Sequence, residues 1–283
     1  MKIAGTVILY HPAENVIENI SSYLNSVDIL YIVDNTENPS KRIADTIKAL
    51  SSAIYLHDGE NKGIAARLNQ ISNLAISGGF EWLLTMDQDS SFENETLNSY
   101  FTCIRSFEEK EKVSMFGINF EKKVSDPNVC HSIKVNHLIT SGSLLNLSLF
   151  RVMGGFEEKL FIDEVDFEYC LRSIKNGFQI IQFRNIFLSH HLGKTSLHLS
   201  LKSTKLTSRV LHSPVRIYYM SRNFLFIQSK YRVAFPEELS LRKKILINRI
   251  KNNVLYNKNR FKVVNFILKG IIDYRKKRMG RLK

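Results

Sequence analysis

The chain has 283 residues, with 40 Lys and Arg against 27 Asp and Glu, a formal net charge of +13 and 44% hydrophobic residues. That length gives one large domain or two small ones with enough chain to bury a core, and average apolar content with only 5 Pro and 13 Gly excludes a disordered or fibrous protein. The charge is uneven: residues 240–283 hold fifteen Lys and Arg and a single acid, Asp273, so the first 239 residues are close to neutral and the cationic tail has a job of its own.

Ile3–Tyr10 reads as a buried strand, and Ala13–Asn25 as a helix with Val16, Ile20 and Leu24 on one face. Ile29–Val33 is a second strand ending in Asp34-Asn35, Ser40–Leu50 a second helix, Ala53–Leu56 a third strand and Ile64–Ile76 a third helix. Trp82–Met86 is a fourth strand, ending in Asp87-Gln88-Asp89. This βα alternation predicts an α/β fold with a mostly parallel central sheet flanked by helices, and in such sheets ligands bind at the carboxyl edge of the strands. Beyond Glu121 the pattern loosens. Val135–Leu145 reads as extended around Ser141-Gly142-Ser143, Met153–Phe156 as a turn, Glu164–Lys175 as a helix closed by Asn176-Gly177 and Phe178–Leu188 as a strand. Leu192–Thr207 reads as a polar loop and Val215–Tyr231 as an aromatic-rich helix.

Cys103, Cys130 and Cys170 are an odd number at unrelated spacings with no CxxC pair to bind zinc or run redox chemistry, and a reducing cytoplasm is the simplest compartment. The apolar run of MKIAGTVILYHP stops at Pro12, too short for a signal peptide, and no window is apolar for long enough to span a bilayer.

Asp87 and Asp89, separated by one residue at a strand end, project to the same side, and hard oxygen ligands of this kind suit Mg²⁺ or Mn²⁺ bridging phosphates. Around this pair runs an ordered series of short motifs. Thr6–Tyr10-His11-Pro12, Val33-Asp34-Asn35 and Asn61-Lys62-Gly63-Ile64-Ala65-Ala66 with Asn69 come before it. Ser141-Gly142-Ser143, Gly154-Gly155-Phe156, Phe161-Ile162-Asp163 with Val165-Asp166-Phe167-Glu168 and Cys170-Leu171-Arg172, His190-His191-Leu192-Gly193, and Tyr218-Tyr219 with Arg222-Asn223 follow. In this order and spacing, over about residues 3–230, the chain resembles glycosyltransferase family 2, whose members share the GT-A fold, and most closely its rhamnosyltransferase-like branch.

The resemblance implies a role for each position. Asp34 would accept a hydrogen bond from the donor's pyrimidine, with Tyr10 walling the base, although Asp34-Asn35 also reads as a simple Asx turn. Asn61 and Gly63 would let the backbone pass close to the nucleotide, and Arg67, one turn on, would reach a phosphate or stand as a surface residue. Asp87 would contact the ribose, and Asp89 would carry the metal together with His190, or with His191 as the alternative. Arg222 would bind the diphosphate. Asp166 would be the catalytic base of an inverting transfer, with Asp163 next in line, and Ser141, Gly142, Ser143 and Glu168 would lie on the acceptor side. Val165 stands where most of the family has Glu, which removes one anchoring carboxylate.

The tail interleaves its charges with Ile245, Leu246, Ile250 and Val254, then Val264, Ile267, Leu268, Ile271 and Ile272. Such spacing gives amphipathic helices that lie on an anionic membrane surface or pack their stripe on the catalytic body. The expectation is therefore a GT-A domain over 1–235, with nucleotide-sugar (1–120) and acceptor and base (121–235) parts, and a basic helical extension over 236–283. It would be a metal-dependent, Mg²⁺- or Mn²⁺-using, inverting glycosyltransferase, peripheral at the inner face of the cell membrane. The donor would be dTDP-rhamnose and the acceptor a lipid-linked or other membrane-borne glycan in cell-surface polysaccharide synthesis, with a UDP-hexose as the alternative donor. The remote alternatives from other classes are a haloacid dehalogenase-type phosphatase using Asp87 and a nucleic-acid-binding protein using the tail. Three βα units precede Asp87, and the tail carries an apolar stripe, which disfavours both; no nucleic acid partner is expected.

Overall fold

A computed structural model describes residues 1–93, 96–119, 129–190, 195–199 and 206–283. The chain divides into two compact units, one formed by Met1–Phe161 and Val165–His191 and the other by Ile162–Glu164 and Leu192–Lys283.

The first unit opens with β1 (Ile3–Leu9), α1 (Val16–Leu24), β2 (Ile29–Asp34), α2 (Lys41–Lys48), β3 (Ala53–His57), α3 (Gly63–Ser77) and β4 (Trp82–Asp87). The short β5 (Ser90–Ser91), α4 (Thr96–Arg105), β6 (Val113–Asn119), β7 (Ser132–Lys134), β8 (Ser143–Asn146) and α5 (Leu147–Met153) follow, then α6 (Val165–Lys175), β9 (Gln179–Phe187) and β10 (Ser189–His190). Eight strands form one sheet in the order β3-β2-β1-β4-β8-β6-β9-β7. β3, β2, β1 and β4 are a parallel block, and β8 runs antiparallel to both β4 and β6. Every residue of β1 is buried, as a strand covered by helices on both faces must be, so its sequence reads as a continuous apolar run. Val16, Ile20 and Leu24 of α1 are buried as their spacing predicts. The α/β expectation therefore holds.

Two local features depart from what the sequence suggests. Cys103 on α4 and Cys130 are joined as a disulfide with Cα atoms 5.5 Å apart, while Cys170 is free and buried. Their separation of 27 residues carries no motif, so only the fold brings them together. In the second unit, β11 (Thr195–Leu199) pairs antiparallel with β12 (Leu206–Val210), where a polar loop was expected over 192–207.

The rest of the second unit is helical: α7 (Pro214–Tyr231), α8 (Pro236–Tyr256) and α9 (Arg260–Arg275). Ile217 and Met220 of α7 and Val263 of α9 form a buried cluster on which Leu246, Ile250, Val254 and Ile267 pack. Packing thus groups α7 with the two tail helices, whereas the sequence boundary was drawn after α7, at 235. Leu246, Ile250, Val254 and Ile267 of the tail's apolar stripe are partly buried against that cluster. Ile245, Val264, Leu268 and Ile272 are exposed. No helix among the described residues is long and apolar enough to cross a membrane.

Candidate active site

The parallel register sets the carboxyl edge of the sheet level. Leu9 lies opposite Asp34, Ile8 opposite Asp87, and Asp34 opposite His57. Asp34 and Asp87 are two strands apart, roughly 10 Å at the usual interstrand spacing.

Asp34 is 2% exposed. Its Oδ1 accepts from the Thr36 N–H at 3.0 Å, the Asx turn of the simpler reading, and its Oδ2 accepts from the Tyr55 hydroxyl at 2.9 Å. Burial, together with the bond to Asp34, pushes the Tyr55 phenol above its ordinary value. Each carboxylate oxygen retains accepting capacity beyond these bonds. Tyr55 was not singled out from the sequence, because an aromatic residue on a strand reads as packing.

Beside Asp34, Asn35 ties three elements together. Its amide donates to Asn61 Oδ1 at 2.8 Å, and its carbonyl oxygen accepts from the Lys62 N–H at 2.9 Å and from Arg67 Nε at 3.0 Å. Arg67 is 1% exposed. Its Nη1 donates to Asp58 Oδ2 at 2.8 Å and Gln70 Oε1 at 2.9 Å, and its Nη2 to Asp58 Oδ1 at 2.5 Å and the Glu60 carbonyl at 2.6 Å. With Nε on Asn35, all five N–H donors are engaged, so Arg67 offers no donor to a phosphate and is not a surface residue either. It braces the 58–62 loop. The guanidinium holds the Asp58 carboxyl well below the usual carboxylate range.

Gly63 begins α3 with φ +82°, and a Cβ there would lie 2.5 Å from the Phe161 ring. The close approach that requires glycine is therefore made by Phe161, whose carbonyl accepts from the Ile64 N–H at 2.7 Å. Asn69, further along α3, accepts from the Phe156 N–H at 2.7 Å and donates to the Phe156 carbonyl at 3.0 Å, fixing the Gly-Gly-Phe turn.

The Asp87-Gln88-Asp89 turn is clamped from two sides. Gln88 Oε1 accepts from the Tyr10 N–H at 2.8 Å, and Asn19 donates to the Gln88 carbonyl at 2.9 Å. On the other side, the Asp87 N–H donates to Ser141 Oγ at 3.3 Å and Ser141 Oγ donates to Ser90 Oγ at 2.9 Å. Ser141 and Ser143 are 1% exposed, and Gly142, at φ +71°, has its N–H on the Thr85 carbonyl at 2.8 Å. These three residues back the Asp-x-Asp turn rather than facing an acceptor. Asp87 and Tyr10 are exposed and Asp89 is partly exposed.

The pairing of β5 with β10 places His190 opposite Ser90, the residue after Asp89. His191 lies outside the described residues. Among the described residues no three His, Cys, Asp or Glu side chains form a closed metal site. A divalent ion held by one or two protein ligands plus substrate phosphates needs no such cage.

Asp166 sits in the first turn of α6, partly buried, with Oδ1 accepting from the Phe167 N–H at 2.8 Å. Glu168, two residues on, is fully buried and bonded to Arg172, whose guanidinium also donates to the main-chain carbonyls of Met153 and Gly155. Glu168 is thus part of the core and does not face an acceptor.

Asp163 and Arg222 belong to the second unit. Phe161, Asp163 and Glu164 all have positive φ, a strained run of non-glycine residues. The Asp163 carboxylate is ion-paired to Arg216 at 3.1 Å and Glu164 to Arg242 at 2.9 Å, while the Asn223 amide donates to the carbonyls of Ile162 and Asp163. Arg222 is fully buried. It donates to Asn223 Oδ1, the Tyr218 hydroxyl and the Gly280 carbonyl, with its plane near the rings of Tyr218 and Tyr219. These bonds hold the guanidinium among residues of the second unit.

No family model matches the chain. The dTDP-rhamnosyl transferase RfbF of Shigella flexneri is 26% identical over 90% of this chain and 92% of its own length. The crystal structure of S. aureus TarS residues 1–349 with UDP-GlcNAc aligns over 97% of this chain and 80% of its own at TM-score 0.57 and 14% identity. GalNAc-T7 with UDP, GalNAc and Mn²⁺ aligns over 67% of this chain at TM-score 0.53 and 10% identity, and the match spans 44% of that longer protein. At 14% and 10% identity these likenesses are of fold.

Proposed function

Since this chain is a rhamnosyltransferase-like glycosyltransferase of family 2 with the GT-A fold, we propose that it transfers rhamnose from dTDP-rhamnose, with inversion, to a hydroxyl of a membrane-borne glycan. The observation that carries the reading is the level edge of β2, β1 and β4, which sets Asp34 and Asp87 roughly 10 Å apart with Asp89 beside the His190 position. A nucleoside laid across that edge meets Asp34 with its base, while Asp87 meets the ribose. Asn35, Arg67 and Asp58 keep the loop over the base in place without touching the ligand. Asp89 and His190 would hold a Mg²⁺ or Mn²⁺ ion, which supplies positive charge to the leaving diphosphate when bound. The observed ion pair of Asp163 with Arg216 favours Asp166 as the base that takes the acceptor proton. The acceptor oxygen then attacks the anomeric carbon as the bond to the diphosphate breaks.

Thermal stabilisation against a panel of nucleotide sugars tests the donor. The reading expects a shift with dTDP-rhamnose and none with UDP-hexoses; the reverse pattern would replace the donor with a UDP-sugar.

A further inference from the structure

Residues 276–283 turn back along α7 and α9, and the turn is fixed by main-chain bonds. The Arg278 N–H donates to the Asp273 carbonyl at 2.8 Å, the Leu282 N–H to the Tyr219 hydroxyl at 2.8 Å, and Arg222 to the Gly280 carbonyl at 2.7 Å. Lys277 adopts φ +56° within it. This turn and α9 enclose a cavity of 450 Å³ lined by Tyr218, Lys269, Asp273, Lys277, Arg278, Met279, Arg281 and Lys283. Five cationic side chains thus surround one space with one acidic side chain, Asp273, which is engaged by the Tyr218 hydroxyl at 2.9 Å and by Arg278 at 3.8 Å, while Lys269 Nζ donates to the Lys283 main-chain oxygen at 3.0 Å. Like charges gathered by a fixed backbone repel one another unless an anion sits between them.

A second feature lies on the same helix. Phe261, Val264, Leu268 and Ile272 are 78%, 40%, 52% and 47% exposed and recur at the spacing of one helical face. Lys269 and Asp273, at the cavity, sit roughly a quarter turn round α9 from that stripe. An apolar ridge beside a cationic hollow matches the layering of a bilayer surface, with acyl chains under a plane of phosphates.

We propose that α9 and the turn after it form a binding site for an anionic phospholipid surface. The stripe enters the acyl boundary, and the cavity of Lys269, Lys277, Arg278 and Arg281 takes a lipid phosphate. The site lies wholly within the second unit. It would hold the enzyme at the surface where the proposed acceptor resides, and it rests on that reading only for its purpose.

The test is co-sedimentation of the full chain with phosphatidylcholine vesicles, with or without phosphatidylglycerol. Binding is expected only with the anionic lipid. K269Q/K277Q, two exposed changes, should weaken it roughly thirtyfold, at about fivefold per charge. F261S/L268S should weaken it comparably, with unfolding midpoints unchanged in both variants. Inorganic diphosphate in place of vesicles distinguishes a free anion from a lipid. Wild-type sedimentation that is absent, or that is unaffected by both double substitutions, overturns the proposal. So does tight diphosphate binding without vesicle binding, and so does a stripe variant whose only effect is to dissociate an oligomer. No donor enters this assay, so its failure is separate from failure of the transferase reading.

Discussion

Each unit encloses one almost wholly buried arginine, and the two are satisfied by different chemistry. Arg67 meets a carboxylate, Asp58, in a two-point pair, and its remaining donors fix a side chain and a carbonyl on the loop above the sheet edge. Arg222 meets an amide oxygen, a phenol and a carbonyl, and lies by two tyrosine rings. The first arrangement shapes the rim on which a nucleotide would lie. The second pins the tail turn that gathers the cationic cavity. A buried guanidinium in this chain is therefore a brace.

The most severe change expected is to a residue outside both braces. Asp166→Asn should lower transfer by about 10²–10⁴-fold while leaving donor-induced stabilisation intact, because only proton removal is lost. Retained transfer would move the base to Asp163. Arg67→Met should cost roughly 3 kcal/mol in urea unfolding, toward the low end for a broken pair because Asp58 is a third exposed. Arg222→Met should cost less, about 1–3 kcal/mol, since the named partners it abandons are neutral groups. Equal losses would erase the distinction.

Gly142→Ala places a Cβ 2.4 Å from the Ile118 side chain at a positive φ. It should destabilise by roughly 1–3 kcal/mol in the same unfolding assay. The smallest effect concerns pH. Burial, aided by the charges of Arg216 and Arg249, pushes His212 from 6.5 down to about 4. Between those values the unfolded chain binds a proton that the folded chain refuses, so stability is fully present above about 6.5 and falls as pH drops through the window. Urea midpoints at pH 7 and pH 5 should differ more in the wild type than in His212→Gln.

The alternation of strands and helices, the Asp-x-Asp turn and the Asp34 position were legible because each depends on local periodicity or on motif order. What escaped was set by long-range contacts. Arg67 and Arg222 look like phosphate ligands in one dimension, and only the loop and the tail folding over them show that their donors are taken. Ser141, Ser143 and Glu168 carry the polarity of a binding surface, yet Ser141 bonds Ser90 far along the chain, Ser143 the Ile139 carbonyl in the preceding turn, and Glu168 Arg172 one turn along a helix. The disulfide of Cys103 with Cys130 and the pairing of β11 with β12 have no local sequence mark either. The tail's apolar stripe was visible, but not its division into a packed part and an exposed one.

The proposed metal ion at Asp89 sets the sharpest expectation for this chain. The most direct test is rhamnosyl transfer from dTDP-rhamnose by the wild type and Asp89→Ala, with Mn²⁺ or Mg²⁺ and after chelation. Activity should need the ion and fall about 10³-fold in the variant, with the fold unchanged by circular dichroism. Full activity after chelation and in the variant would contradict it.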